Sequence, residues 1–430
     1  MSYTRNKTAW FKGGIIMEKG QDQNMKWTLN YNYSGVFNEK ELVFFNNKYI
    51  DKVLRFQKSH SKYNKTPLLS LKNLSRYLNV KEIRVKDESK RFGLNAFKVM
   101  GGIYAVGKYL AEKLERDIDS LSFDELHSPE TKEKLGEITF ISATDGNHGR
   151  GIAWAARELG QKSVIYLPKG SSRARLEAVQ QEGAYGEITD MNYDDTVRMC
   201  AELAEEKGWV MVQDTAWEGY DKIPLWIMQG YAAIAKEIAE ELEAEEAEIP
   251  THIILQAGVG SFAAGIAAYF KNHYRELAPK IIIVEPEAAD TYYRSFSKGT
   301  GEIVPVTGHM NSIMAGLNCG EPNVRAFRIL NQYAYSSFSS TDRLAALGMR
   351  VLGNPLGTDE RIISGESGAI PLGLLFYLRK FAGPEAVEAL QLDEKASVLI
   401  INTEGDTDAE HYLDVVWHGT QGQVPRPIKE

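Results

Sequence analysis

Lys98 sits in "KDESKRFGLNAFKVMGG" (86–102), where Phe92, Leu94, Ala96, Phe97, Val99 and Met100 surround its amine with apolar side chains. Desolvation lowers an amine's pKa, and a neutral lysine can form a Schiff base with a carbonyl. Taken alone, the residue reads as a lysine snorkelling from a helix end. Three further stretches carry types suited to a polar ligand. In "SATDGNHGRG" (142–151), Gly146 and Gly149 permit a tight turn, amides at a helix start can hold a carboxylate, and Asn147 brings donor and acceptor together. Asp-Gly-Asn is also ordinary turn chemistry, and His148 by itself reads as a satisfied turn residue. "LQAGVGSFAAG" (255–265) runs from strand through glycine turn to helix, a cradle for phosphate. It also passes as a dinucleotide fingerprint, with Gly258, Gly260, Ala263 and then Glu285 ending the next strand. "INTEGDTD" (401–408), with "ISGESGAI" (363–370) upstream, has small residues that admit a flat ring, plus Glu366, Asn402, Thr403, Asp406 and Asp408. Unaided, these are turns.

The elements between these stretches predict how they meet. After Pro67, short β-branched runs alternate with longer amphipathic ones, the pattern of an α/β fold. Strands are expected at 82–87, 138–143, 163–168, 186–191, 209–214, 252–258, 280–286 and 397–403. Helices are expected at 95–116, 149–159, 172–182, 194–207, 225–244 and 261–274. The strand C-termini of an open parallel sheet share one crevice, so loops far apart in sequence can converge there. The fold class read from this is α/β with two interleaved open-sheet domains. A large domain of residues 17–102 and 217–430 would accept a small domain, 103–216, as an insertion.

The chain's 430 residues suggest about two or three domains, and 43% hydrophobic with 25% charged residues is ordinary for a globular protein. A net charge of −8 argues against nucleic acid or an anionic membrane as partner and for a small metabolite. Two cysteines, Cys200 and Cys319, make no disulfide framework, so a cytoplasmic location is expected. The eight histidines are dispersed, and no metal site is expected. Residues 12–17 read like a translated ribosome-binding site and spacer ending at a start codon. Met17 is therefore a candidate start, with 1–16 either an annotation extension or a disordered tail.

One cofactor explains the four stretches together. Pyridoxal 5'-phosphate needs a lysine for its aldehyde, a cup for its phosphate, and polar partners for its ring oxygen and ring nitrogen. The order of lysine, Ser-x-x-x-Gly-Asn-His-Gly and glycine-rich loop resembles the fold-type-II pyridoxal-phosphate enzymes, such as the serine and threonine dehydratases and the tryptophan synthase β subunit. Closer still, "KDESKRFGLNAFK", "TDGNHGRG", "MNYDDTVR", "QDTAWEGY", "WIMQGY", "LQAGVG", "MAGLNCGEPN", "ALGMRVLGNP", "RIISGESGA" and "TEGDTD" resemble the 2,3-diaminopropionate ammonia-lyase family, from about Pro67 to about Trp417.

The resemblance implies roles residue by residue. Lys98 would hold the cofactor and act as a base at Cα. Asn147 would bond the ring oxygen, and the amides of Gly258, Val259, Gly260 and Ser261 the phosphate. Ser142, Ala143, Thr144 and Gly146 would form the pocket for the substrate carboxylate, and Asp145 would also touch the substrate. Asn402 aligns with the serine that relatives place at the ring nitrogen, and Thr403 is the alternative donor of a hydroxyl there. Asp145, where dehydratases commonly have serine, would work on the face opposite Lys98, so that D and L isomers both react. Asp214 would hold the β-ammonium of the substrate or simply cap a turn. The implied reaction is α,β-elimination to pyruvate and two ammonia, by a symmetric dimer. Three rivals stay open: a serine or threonine dehydratase, an NAD-dependent oxidoreductase built on the Gly258 loop, and a non-catalytic amino-acid-binding regulator.

Overall fold

The computed structural model describes residues 11–12, 15–16 and 19–422. In chain order the strands are β1 (Phe11–Lys12), β2 (Ile15–Ile16), β3 (Lys19–Gln21), β4 (Met25–Leu29), β5 (Leu68–Ser70), β6 (Glu82–Asp87) and β7 (Thr139–Ala143). They continue with β8 (Lys162–Leu167), β9 (Tyr185–Ile188), β10 (Val210–Met211), β11 (His252–Gln256), β12 (Lys280–Pro286), β13 (Ala334–Ser340) and β14 (Ser397–Asn402). Two sheets carry the fold, one of four strands in the order β10-β7-β8-β9 and one of eight in the order β3-β4-β13-β12-β11-β14-β6-β5. The four-stranded sheet is wholly parallel. In the eight-stranded sheet β13, β12, β11, β14 and β6 run parallel, and β4, β3 and β5 add antiparallel edges. The α/β class expected from the alternation is therefore the class observed.

The central strands are continuous apolar runs because both faces are covered. On one face Ile253, Leu255, Ile281, Ile283, Leu399 and Ile401 join one core, while Ile254, Ile282, Val284, Val398 and Ile400 join a second core across the sheet. A third, smaller core around Ile141, Val164, Val197 and Met211 underlies the four-stranded sheet. The expected helices form with small shifts of boundary: Val99–Lys113, Asn147–Glu158, Arg173–Gln181, Tyr193–Lys207, Lys222–Ala244 and Ser261–Tyr274. One stretch departs from its reading. "ISGESGAI" is not a turn throughout, because Glu366 starts a helix that runs to Lys380.

The chain leaves the eight-stranded sheet after β6, builds the four-stranded sheet from β7 to β10, and returns at β11. The first crossing is held by a buried ion cluster. Arg91 donates to Glu88 at 2.8 Å and to Glu237 at 2.7 Å, and Lys86 reaches Glu237 at 3.3 Å and Glu241 at 3.0 Å. Removing one member of such a buried set strands the others without a counter-charge, at a cost of about 3–5 kcal/mol. The cluster ties the segment leading to Lys98 onto the Lys222–Ala244 helix. A second tie is steric: Gly151 of the Asn147–Glu158 helix lies so close to Lys98–Val99 that a Cβ there would come within 2.9 Å of the Val99 nitrogen.

The expected start at Met17 and the tail before it lie outside the described residues, except that β1 and β2 pair antiparallel. No helix among the described residues is long and apolar enough to cross a membrane. No group of three or more metal-ligating side chains is present among them either.

Candidate active site

Lys98, Thr144, Asp145, Asn147, Asp214, Gly258 to Ser261 and Thr403 line one cleft of about 720 Å³, its open mouth included. Five segments, spread from Lys98 to Thr403, thus meet where parallel strands end. Lys98 immediately precedes the Val99–Lys113 helix and is placed by pairing with the loop after β14. Phe97 N donates to Thr403 O at 3.0 Å, Gly405 N to Asn95 O at 3.0 Å, and Ala96 bridges Glu404.

The Lys98 amine donates to Asp214 Oδ2 at 2.8 Å. Burial alone would lower its pKa, as the sequence reading supposed, but Asp214, with Tyr231 and Asp145, raises it above the ordinary lysine value. The amine of the cofactor-free chain is therefore an ammonium. Burial likewise works to raise Asp214, yet Lys98 and His148 bring it down to about 2. His148 is buried, its ring facing the Val212 carbonyl at 2.9 Å through Nε2 and the Asp214 carboxylate at 3.9 Å through Nδ1.

The 142–151 segment divides its labour. Ser142 does not face the cleft; its hydroxyl donates to the Val212 carbonyl at 2.8 Å and lies 2.9 Å from Gln213 Oε1. Ala143 and Gly146 are likewise outside the cleft lining. Thr144 Oγ1 accepts from the amides of Gly146 and Gly149, both at 2.9 Å, so two of the donors expected for a carboxylate are already engaged. Asn147 opens its helix and donates through Nδ2 to Glu404 Oε2 at 2.5 Å.

Gly258 to Ser261 lead into the helix Ser261–Tyr274, whose first amides have no intrahelical acceptor and favour an anion. Gly260 has φ +88°, and a Cβ there would fall 1.9 Å from Tyr292 Oη, so only glycine fits. The Ser261 hydroxyl donates to the Asp214 carbonyl and accepts from Asn323 Nδ2 at 2.8 Å, tying this loop to the carboxylate segment. Glu285 is closed to a ribose. It is fully buried and accepts from Tyr292 N and Tyr293 N, both at 2.8 Å, which removes the acidic residue that a dinucleotide reading requires.

At the fourth loop the two alternatives separate. Asn402 is turned away, its amide donating to Asp87 Oδ1 at 2.8 Å and Ile363 O at 3.2 Å, whereas the Thr403 hydroxyl lines the cleft and accepts from Gln256 Nε2 at 2.7 Å. Glu366 is also outside the lining, with Oε1 3.2 Å from His411 Nε2, and its neighbour Ser367 faces the cleft instead. The sequence reading passed over Glu404, Tyr231, Gln256 and Cys319, all of which line it. Glu404 was detectable in principle, since it is a carboxylate two residues past the end of a buried strand.

A pyridoxal phosphate fits these residues on internal grounds. His148 Nδ1, Tyr231 Oη, Gln256 Oε1 and Ser367 Oγ are buried atoms of lining residues that have no hydrogen-bond partner in the protein. Buried polar atoms are normally satisfied, so their convergence marks the place of a polar ligand. A lysine, a helix N-terminus, an asparagine amide and a threonine hydroxyl at the same cleft supply the contacts that ligand needs.

Comparison with known proteins agrees. Residues 61–404 match the family described as pyridoxal-phosphate dependent enzyme. The chain is 52% identical over 369 residues to a diaminopropionate ammonia-lyase of Salmonella typhimurium, covering 85% of this chain and 91% of that one. The diaminopropionate ammonia-lyase of Escherichia coli, solved in complex with an aminoacrylate-PLP azomethine reaction intermediate, superposes with a TM-score of 0.84 at 47% identity, over 93% of this chain and 98% of that one. The same Escherichia coli enzyme in complex with D-serine gives 0.85 at 46% identity, over 94% and 99%. From the cleft and from these matches together, the chain belongs to the diaminopropionate ammonia-lyase family of fold-type-II pyridoxal-phosphate-dependent enzymes.

Proposed function

We propose that this protein eliminates ammonia from 2,3-diaminopropionate, of either configuration, giving pyruvate and two ammonia. The observation that carries the reading is the meeting of Lys98, Asp145 and Asp214 beside the amides of Gly258 to Ser261 in one cleft. Bound pyridoxal phosphate supplies an electron sink conjugated to the substrate's Cα, which makes the Cα proton acidic. The remaining work belongs to the chain.

Lys98 holds the cofactor through its amine, Asn147 donates to the ring oxygen, and Gly258, Val259, Gly260 and Ser261 hold the phosphate. Thr403 offers its hydroxyl to the ring nitrogen, a neutral partner that favours elimination over amino transfer. The segment around Thr144 and Asp145 receives the substrate carboxylate. Lys98, with its amine free, would remove the Cα proton of one isomer, and Asp145 would remove that of the other. Asp214 holds the β-ammonium, which departs as ammonia, its nitrogen keeping the electron pair of the broken Cβ–N bond while the electrons left by the Cα proton form the Cα–Cβ double bond. The three-carbon enamine then leaves and reacts with one water to give pyruvate and the second ammonia. The Escherichia coli relative's complex with D-serine supports a pocket open to D configuration.

Charge supports a diamine over a hydroxy-amino acid. Asp145 and Asp214 line the cleft with Lys98, which suits a substrate that brings a second ammonium group. A serine or threonine dehydratase would share the cofactor contacts and has no use for the extra negative charge. Around this site the chain divides into a large domain, 17–102 with 217–430, and a small domain, 103–216, which contains all four strands of the smaller sheet. The protein works as a homodimer in the cytoplasm.

The test is the absorbance spectrum of the purified protein before and after each isomer, with pyruvate followed alongside. A visible band altered by both isomers, with pyruvate from both, is expected. No band at all overturns the reading, and pyruvate from serine in preference to diaminopropionate replaces it with the dehydratase.

A further inference from the structure

We propose that Glu404 is a positioning residue that orients the Asn147 amide toward the cofactor's ring oxygen. The inference rests on the pyridoxal-phosphate reading and extends it to a residue outside the expected contact set.

Glu404 is 3% exposed and held at both oxygens. Oε1 accepts from the amide of Ser367 at 3.0 Å, and Oε2 accepts from Asn147 Nδ2 at 2.5 Å. It has no slack to swing, because it rests on Gly365, where a Cβ would lie 3.0 Å from its Cδ. Its charged surroundings are Asp145 and Arg175 from the smaller-sheet side and Glu366 from the start of the Glu366–Lys380 helix.

An asparagine side chain is nearly symmetric in shape and opposite in chemistry at its two ends. Its orientation is therefore set by what it bonds. Facing the cleft with oxygen, Asn147 would repel a phenolate-like ring oxygen; facing it with nitrogen, it donates. In its ionised form Glu404 only accepts, and it then pins Nδ2 and excludes the flipped amide, which would set two acceptors together. One hydrogen of Nδ2 is used by Glu404, and the second remains for the ring oxygen. Because Glu404 follows β14 and Asn147 opens a helix after β7, the contact also joins the two sheets at the site itself.

The experiment is a double-mutant cycle on cofactor uptake. Cofactor-depleted wild type, Asn147→Ala, Glu404→Ala, Glu404→Gln and the Asn147→Ala/Glu404→Ala double variant are titrated with pyridoxal phosphate. Tryptophan fluorescence gives affinity, and the visible absorbance maximum reports the state of the ring oxygen. Glu404→Ala is expected to weaken uptake roughly tenfold, the scale of one charge-assisted hydrogen bond, and to move the maximum. The double variant should be no worse than Asn147→Ala. Glu404→Gln keeps the shape of the side chain and, if Glu404→Ala does not fold, carries the cycle. Its amide has one accepting atom where the carboxylate has two, so it cannot serve both Asn147 Nδ2 and the Ser367 amide, and uptake should weaken. Losses that add in full in either cycle, or an unshifted maximum in Glu404→Ala, overturn the inference and leave the cofactor reading intact. A wild type that takes up no pyridoxal phosphate overturns both.

Discussion

Lys98 Nζ lies 2.8 Å from Asp214 Oδ2, and both groups are charged inside the cleft. The pair holds the amine in place while making it a poorer nucleophile, so capture of an aldehyde requires the proton to leave first. Lys98→Ala should abolish covalent capture while leaving non-covalent uptake. Reduction with borohydride followed by mass measurement checks this: wild type gains the mass of the reduced cofactor, and the variant gains none. Elimination should fall about 10³-fold, within the range of a lost acid-base group.

Asp214→Asn removes the counter-charge of a buried ammonium and should destabilise the cofactor-free protein by about 3 kcal/mol. The folded carboxyl, at about 2, is below its ordinary 3.8, so its stabilisation is complete above that ordinary value and is lost as pH falls toward 2. The gap between wild type and variant should therefore close on acidification from pH 4 to pH 2. Urea denaturation across that interval measures it, and a gap that stays constant contradicts the ion pair.

Asp145→Asn should discriminate between isomers. If the carboxylate serves one face of the substrate and Lys98 the other, turnover of one isomer falls about 10²-fold and that of the other changes little. Steady-state kcat for D- and L-diaminopropionate decides the matter, and equal losses remove the two-face arrangement.

Gly260→Ala places a side chain in a backbone conformation at φ +88° and against Tyr292 Oη. The strain alone costs about 1–3 kcal/mol, and relief requires the phosphate loop to move. Weaker uptake of pyridoxal phosphate in a fluorescence titration is expected, with kcat at saturating cofactor much less affected.

Glu404 offers a pH test independent of cofactor. Burial, then Glu366, push its carboxyl up to about 7 from the ordinary 4.5, against the pull of Arg175. The folded chain then binds more protons than the unfolded one between those values, so this group's contribution to stability falls as pH rises through them. Glu404→Gln carries no such term. Its stability relative to wild type should rise from pH 4.5 to above pH 7, which parallel thermal melts over that range will measure.

What could be read before folding, and what could not, follows from where polar groups find partners. β12, "KIIIVEP", was legible because a strand covered on both faces is a run of β-branched residues. β13, "AYSSFSS", was missed because its buried serines look like loop chemistry. In the fold Ser337 and Ser339 donate to Glu285 and Asp290, residues about fifty positions earlier. The four ligand loops were legible because glycine, asparagine and lysine at strand ends have few other uses in combination. Glu404 was not, because a carboxylate in a turn reads as solvated until Asn147 and the Ser367 amide are brought to it. For the same reason Asn402 and Thr403 could not be separated: Asn402 ends β14 and Thr403 follows it, and only the register of β14 against β6 decides which one meets Asp87.

The chain passes between its two sheets twice, and the paired side chains stand at those passages: Lys98 on the way out, after β6, and Asp214 on the way back, after β10. The 2.8 Å contact therefore closes the stretch from 99 to 213 at its neck, so that one ion pair fastens both ends of the excursion that builds the smaller sheet.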